Sequence, residues 1–190
     1  MDDGSGNPSV HMDAGNDRIR GQDWEAFDFA GTAPFTLEAW INPDNVSGIE
    51  IIIQKQVGGS GAGWELIRNG TQVTVTRGTS ANQGATGGTV VIGTDHHVVA
   101  TYDGATLKIY LDGIEVDSST ASVSMGANTI VVSIGEDSAT GGVFFDGRLD
   151  EVAVYDRALT GAEVAKHYAI GTQGVAGARW LDLTRYVRSE

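Results

Sequence analysis

Phe144-Phe145-Asp146-Gly147-Arg148-Leu149-Asp150-Glu151-Val152-Ala153-Val154-Tyr155-Asp156-Arg157-Ala158-Leu159-Thr160 is the stretch whose reading decides the fold. It reads as a tight turn at Asp146-Gly147, a strand from about Leu149 to Tyr155, and then a helix start. Leu149, Val152, Val154 and Tyr155 supply apolar groups to both faces, so both faces of this strand are expected to be covered. Asp150 and Glu151 interrupt it. Charges inside a covered strand require partners, and a metal ion is one candidate partner.

Working outward, period-2 alternation recurs. In Phe35 to Ile41, Phe35, Leu37, Ala39 and Ile41 share one face, and Thr36, Glu38 and Trp40 the other. Ile49 to Gln54 is β-branched and reads as a buried strand. Trp64 to Asn69 and Gln72 to Arg77 flank Gly70 as a hairpin, and His97 to Tyr102 and Leu107 to Leu111 turn at Asp103-Gly104. Asp112-Gly113 leads into Ile114 to Asp117. Ser9 to Asp13, Val90 to Ile92 and Thr129 to Ile134 are further expected strands, and Gly58–Gly63 and Gly78–Gly88 are expected loops. Many short strands separated by turns imply two packed antiparallel sheets. One helix is predicted over Ala162 to Tyr168, with Thr160 and Glu163 as a capping box and Gly171 closing it.

These residues also carry a resemblance. FDGRLDEVAVYDRALTGAEV (145–164), Thr36-Leu37-Glu38-Ala39-Trp40-Ile41 and His96-His97-Val98-Val99-Ala100-Thr101-Tyr102-Asp103-Gly104 resemble, in order, the motifs of the laminin G-like, concanavalin A-like jelly-roll family. The resemblance covers roughly residues 8 to 174. It implies an all-β, two-sheet antiparallel jelly-roll sandwich with one short C-terminal helix. Lectins, adhesion modules and glycan hydrolases all use this fold, so it does not by itself select a function.

Composition narrows the choices. The chain of 190 residues has 41% hydrophobic and 19% charged residues, enough for one domain with its own core. A net charge of −13 argues against nucleic acid, whose phosphates need a basic surface, and is compatible with divalent cations. There is no cysteine, which removes disulfides, thiolate zinc sites and cysteine nucleophiles. No apolar run approaches the ~20 residues of a bilayer span.

The expected organisation is a flexible segment 1–7, a sandwich 8–174 and a tail, or the start of a following domain, at 175–190. The tail's Trp180-Leu181-Asp182-Leu183-Thr184-Arg185-Tyr186-Val187 resembles the start of a β-domain of siphophage minor tail proteins. That resemblance implies a piece of a larger virion protein, located in a phage tail or on an extracellular surface. Tail proteins and further copies of the chain are then the expected protein partners.

Candidate sites follow. Met12-Asp13-Ala14-Gly15-Asn16-Asp17 packs oxygens into a Gly-containing loop, which suits a hard cation or an Asx-rich turn. In the family resembled, a calcium ion often bridges this loop and the "D-E-V" aspartate. The resemblance therefore implies a structural calcium held by Asp13, Gly15, Asn16, Asp17 and Asp150. Ile134-Gly135-Glu136-Asp137-Ser138 matches the place where pentraxins put acidic calcium ligands, so Glu136 and Asp137 are ligand candidates, with an exposed turn as the simpler reading. Trp40 and Trp64 are the aromatic candidates for stacking on a sugar ring, along with Trp24.

Catalytic motifs are missing. No E-x-D-x-x-E occurs, and a glycosidase needs a carboxylate pair at a defined separation. No G-x-S-x-G elbow or phosphate-binding loop is present. A non-catalytic module that binds a carbohydrate or cell-surface polymer is therefore expected. A structural virion module making protein contacts is the alternative. A glycan hydrolase using Glu38 or Glu65 is the third reading.

Overall fold

The computed structural model describes residues 9–56, 62–78, 83–122, 124–137 and 139–172. The expected segments at 1–7, within 58–61 and at 175–190, including the tail motif, lie outside them. Among the described residues the chain forms β1 (Val10–Asp13), β2 (Ile19–Arg20), β3 (Phe35–Pro43), β4 (Ile49–Gln56), β5 (Gly63–Asn69), β6 (Gln72–Arg77), β7 (Gly84–Gly87), β8 (His96–Tyr102), β9 (Thr106–Leu111), β10 (Ile114–Thr120), β11 (Ser133–Ile134), β12 (Asp146–Tyr155) and α1 (Gly161–Thr172). A 3-10 turn at Glu25–Phe27 lies between β2 and β3.

Two six-stranded antiparallel sheets stack into a sandwich. The first has the order β1-β12-β3-β8-β9-β10 and the second β2-β11-β4-β5-β6-β7. β3 occupies the first sheet's middle, which is why all nine of its residues are buried. Phe35, Leu37, Ala39 and Ile41 face the core, with Val98, Ala100, Tyr102, Leu107 and Ile109 from the neighbouring strands. The second sheet contributes Ile53, Trp64, Leu66, Val73, Val75 and Ala85. Phe35 stacks on Phe29 and leans on Trp64 and Tyr102, giving the core an aromatic centre.

The outer face of the first sheet is covered by α1. Val99, Tyr110, Leu159 and Val164 form a second small core there. The capping box forms as expected: Glu163 N donates to Thr160 Oγ1 (3.2 Å), and Thr160 N donates to Glu163 Oε2 (2.7 Å). The helix runs on through Gly171 instead of closing there. Gly171 is demanded by packing, because a Cβ at this position would collide with the Trp40 indole.

Several local expectations are corrected. Asp146-Gly147 is part of β12 and pairs with β1 and β3, so no tight turn forms. Gly84–Gly87, expected as loop, is an edge strand paired with β6. Val90–Ile92 is not a strand: Val90 enters the core while Val91 and Ile92 are exposed. Only Ser133–Ile134 of the Thr129–Ile134 segment pairs. At Asp112-Gly113 both residues have positive φ (54° and 80°), the geometry that joins tightly twisted hairpin strands.

Candidate functional site

Pairing aligns one row of side chains across the whole second sheet. Arg20 pairs with Ser133, Ser133 with Gln54, Gln54 with Glu65, Glu65 with Thr76 and Thr76 with Gly84. These residues alternate with the inward-facing Ile19, Ile134, Ile53, Trp64, Val75 and Ala85, so the row lies on the outer face. Five strand spacings make it roughly 24 Å long. No residue in it is hydrophobic.

The row is hydrogen-bonded along its length. Thr76 Oγ1 donates to Glu65 Oε1 (2.8 Å). Gln56, with its amide nitrogen turned to Glu65, donates to Oε2 (2.9 Å). Gln54 Nε2 donates to Asp137 Oδ1 (3.0 Å). Arg20 forms a two-pronged pair with Glu136, Nε to Oε2 at 2.6 Å and Nη2 to Oε1 at 2.7 Å, and Arg18 approaches the same carboxylate at 3.4 Å.

The β11–β12 connection forms a wall at one side. Asp137 accepts from Ala139 N, Thr140 N and Thr140 Oγ1, so its carboxylate is held by residues 139 and 140. Gln54, bonded to Asp137, is buried, while Glu65, Thr76 and Gln56 stay partly exposed. Burial pushes the Glu65 carboxyl above its usual range. The Thr76 hydrogen bond opposes this and the Asp137 charge adds to it. For Asp137, burial also pushes up, but bonds from Thr140, Gln54 and two amides hold it below its ordinary value.

The expected ligand residues separate across the fold. Glu136 and Asp137 do reach this face. Glu136 is not an exposed turn residue: it is 1% exposed and taken up by the two arginines. Trp64 is fully buried, and its Nε1 donates to Phe27 O (2.7 Å), so it cannot stack on a ligand. Trp40 stacks on Tyr168 of α1 and tilts against His97, so its face is covered by the helix. Trp24 packs edge-on against Phe27.

The five residues expected around calcium do not converge. Asp13 pairs with Asp146 across β1 and β12, and Asp150 lies four residues further along β12, roughly 13 Å away. One ion with bonds of 2.3–2.6 Å does not bridge that span. Asp13 Oδ1 instead accepts from Gly15 N (3.0 Å), Asp17 Oδ2 accepts from Asp13 N (3.3 Å), and Asn16 O accepts from Arg18. This is the Asx-turn alternative. Asp150 Oδ1 accepts from Glu151 N (2.8 Å) at a bulge where Glu151 takes φ 48°. Among the described residues, no three His, Cys, Asp or Glu side chains are grouped to hold a metal.

Glu38 has a different task. Its carboxylate receives His97 Nε2 (2.7 Å), His167 Nδ1 (3.0 Å) and Tyr155 Oη (2.8 Å) beneath α1. Burial pushes it up, but the hydrogen bonds from His167 and His97 prevail and hold it at about 2. Glu38 and Glu65 therefore lie on opposite outer faces of the sandwich and cannot form a carboxylate pair across one bond.

The row was not legible in the sequence, because its members come from five separate strands plus Gly84. Only the assembled register unites them. The one available signal was the alternation of Glu65 with Trp64 and Leu66, and of Thr74 and Thr76 with Val73 and Val75.

No curated protein matches the chain. Solved structures do. The binding domain of Paraclostridial Mosquitocidal Protein 1 superimposes with a TM-score of 0.68 at 15% identity, covering 84% of this chain and 42% of that one. Domain 4 of AbnA, an arabinanase from Geobacillus stearothermophilus, solved with arabinotriose, gives 0.64 at 20%, covering 83% and 75%. The CBM40 of a Ruminococcus gnavus sialidase, bound to sialyllactose, gives 0.64 at 14%, covering 84% and 96%. The chain thus spans less than half the length of the toxin structure. At these identities the likeness concerns the fold. A family model matches residues 13–165, and with that match and this sandwich, the chain belongs to the concanavalin A-like lectin/glucanases superfamily.

Proposed function

We propose that this domain is a non-catalytic carbohydrate-recognition module whose ligand lies on the outer face of the second sheet. The observation that carries the reading is the polar row from Arg20 to Gly84, which crosses all six strands while α1 covers the other sheet. Partly exposed hydrogen-bonding groups from Gln56, Glu65, Thr74 and Thr76 lie on this face, and Asp137 is tied to the same row through Gln54. Such groups, fixed by their neighbours before any ligand arrives, match the hydroxyls of a sugar chain at low ordering cost. The sugar-bound relatives of the same fold, with arabinotriose and sialyllactose, support the reading. The carboxylates act by accepting hydrogen bonds: Asp137 is taken up by its turn, and Glu38 lies on the far face.

The test is affinity electrophoresis of the purified domain through arabinan, galactan, xylan and mixed-linkage β-glucan. At least one polymer retards the wild type. Glu65→Ala/Thr76→Ala abolishes the retardation, and Lys166→Ala on α1 keeps it. Retardation by none of a broad panel, or equal loss in the helix variant, overturns the reading.

A further inference from the structure

We infer that the second sheet's outer face discriminates by charge: it takes uncharged sugar chains and rejects those bearing carboxylate or sulfate. This rests on the carbohydrate reading above and specifies the ligand class. The specificity-determining residues are Glu65 and Asp137.

Charge is unevenly distributed on that face. Its basic groups among the described residues are Arg18 and Arg20. Both are turned to Glu136, Arg20 through two short bonds and Arg18 at 3.4 Å. Arg18 also donates to Asn16 O. The remaining basic side chains of this sheet point elsewhere. Lys55 is fully buried among Asp23, Asp28 and the carbonyls of Asn128 and Ile130. Arg68 is fully buried against Glu50, and Arg77 is buried with its guanidinium over the Tyr102 ring.

The acids are distributed differently. Glu65 sits at the row's centre and receives only neutral donors, Thr76 and Gln56. Asp137 receives Gln54, Thr140 and backbone amides, also neutral. At the β7 end, Asp117 Oδ2 accepts from Thr86 N (2.8 Å). Around Glu65 and Asp137 the platform therefore carries negative charge whose bonded partners are neutral, and its two cations among the described residues lie at the β2 end on Glu136. The partial burial of Glu65 keeps its field from being fully screened. A uronate, sialate or sulfate placed over Glu65 meets two carboxylates, while the guanidiniums that would ordinarily recognise it stand at the β2 end of the row, bonded to Glu136. A hexose or pentose hydroxyl meets acceptors it can donate to.

The experiment compares matched polymers, galactan against polygalacturonate and lactose against sialyllactose, by calorimetry and affinity electrophoresis. The wild type is expected to bind the uncharged members at least about tenfold more tightly, a ratio equal to 1.4 kcal/mol. Raising salt should strengthen what binding the acidic members show, because screening removes repulsion. Glu65→Gln/Asp137→Asn should raise the acidic-to-neutral affinity ratio by about tenfold. Thr74→Lys, a partly exposed position on the same face, should raise it too and leaves Asp137 and its bonds in place. A wild type that prefers the acidic members, or a ratio unmoved by both variants, overturns the charge inference and leaves the carbohydrate reading standing. Absence of binding to any sugar overturns both.

Discussion

Thr76 donates its hydroxyl to Glu65 Oε1 across 2.8 Å, from adjacent strands on the outer face of the second sheet. The bond fixes a carboxylate that the fold otherwise penalises. Burial raises the Glu65 pKa and Asp137 raises it further, with Thr76 only partly compensating. Ionisation of Glu65 therefore costs the fold stability.

A carboxyl whose folded pKa lies above its unfolded value destabilises the fold once ionised. The penalty is absent below the ordinary value of 4.5 and complete above the raised one. Glu65→Gln should therefore melt higher than wild type at pH 7 and at the same temperature near pH 4. Melting curves at the two pH values check this, and a lower melting temperature at pH 7 contradicts it.

A second prediction concerns α1. His167 is raised above 6.5, first through its bond to Glu38, with burial opposing. Its contribution is complete below pH 6.5 and is lost as pH rises through the higher folded value. Glu38 contributes above 4.5 and loses its contribution as pH falls toward about 2. The clasp is strongest between about pH 4.5 and 6.5. His167→Ala should lower the melting temperature most in that window and progressively less at alkaline pH. A difference independent of pH would show that the imidazole acts through packing alone.

Gly171 reverses the usual helix rule. Replacing an interior helix glycine by alanine ordinarily gains about 1 kcal/mol. Here the added methyl meets the Trp40 indole, which is held between His97 and Tyr168. Gly171→Ala should destabilise by about 1–3 kcal/mol, as overpacking does. Denaturant unfolding measures it, and a gain in stability would contradict the packing described.

Asp150 separates two accounts of its charge. The bulge account gives its carboxylate to the Glu151 amide, at a residue with φ 48°. Asp150→Ala should then cost about 1.5–3 kcal/mol. The loss should be equal with millimolar calcium and with chelator, because Asp150 is not beside the Asp13–Asp17 loop. A loss confined to the calcium sample would place an ion at Asp150.

How much of this was legible depends on what each residue's partner is. β3, β8 and β9 were readable because Phe35-Leu37-Ala39-Ile41 and their neighbours alternate against a single core. The helix start was readable because Thr160 and Glu163 cap each other locally. β7 was not: Gly84-Ala85-Thr86-Gly87 offers one small inward side chain, and its strand character comes from pairing with β6. Val90–Ile92 has the composition of a strand, but Val90 N bonds singly to Thr71 O and Val91 N to the His96 ring, so no ladder forms. Trp64 and Trp40 looked available because sequence shows aromaticity but not what covers it. Asp150 suggested a metal because a bulge that turns its own backbone amide to the carboxylate leaves no sequence signature. The row from Arg20 to Gly84 is a property of register across strands distant in sequence.

The central claim is that a sugar chain lies on this row, and amide chemical-shift mapping tests it most directly. An isotope-labelled domain is titrated with an oligosaccharide of whichever polymer retards it. The account predicts shifts concentrated at Gln54, Gln56, Glu65, Thr74, Thr76 and Asp137–Thr140, with Val164 to Ile170 of α1 unmoved. Shifts confined to α1, or to the loops at the ends of the sandwich, would contradict it.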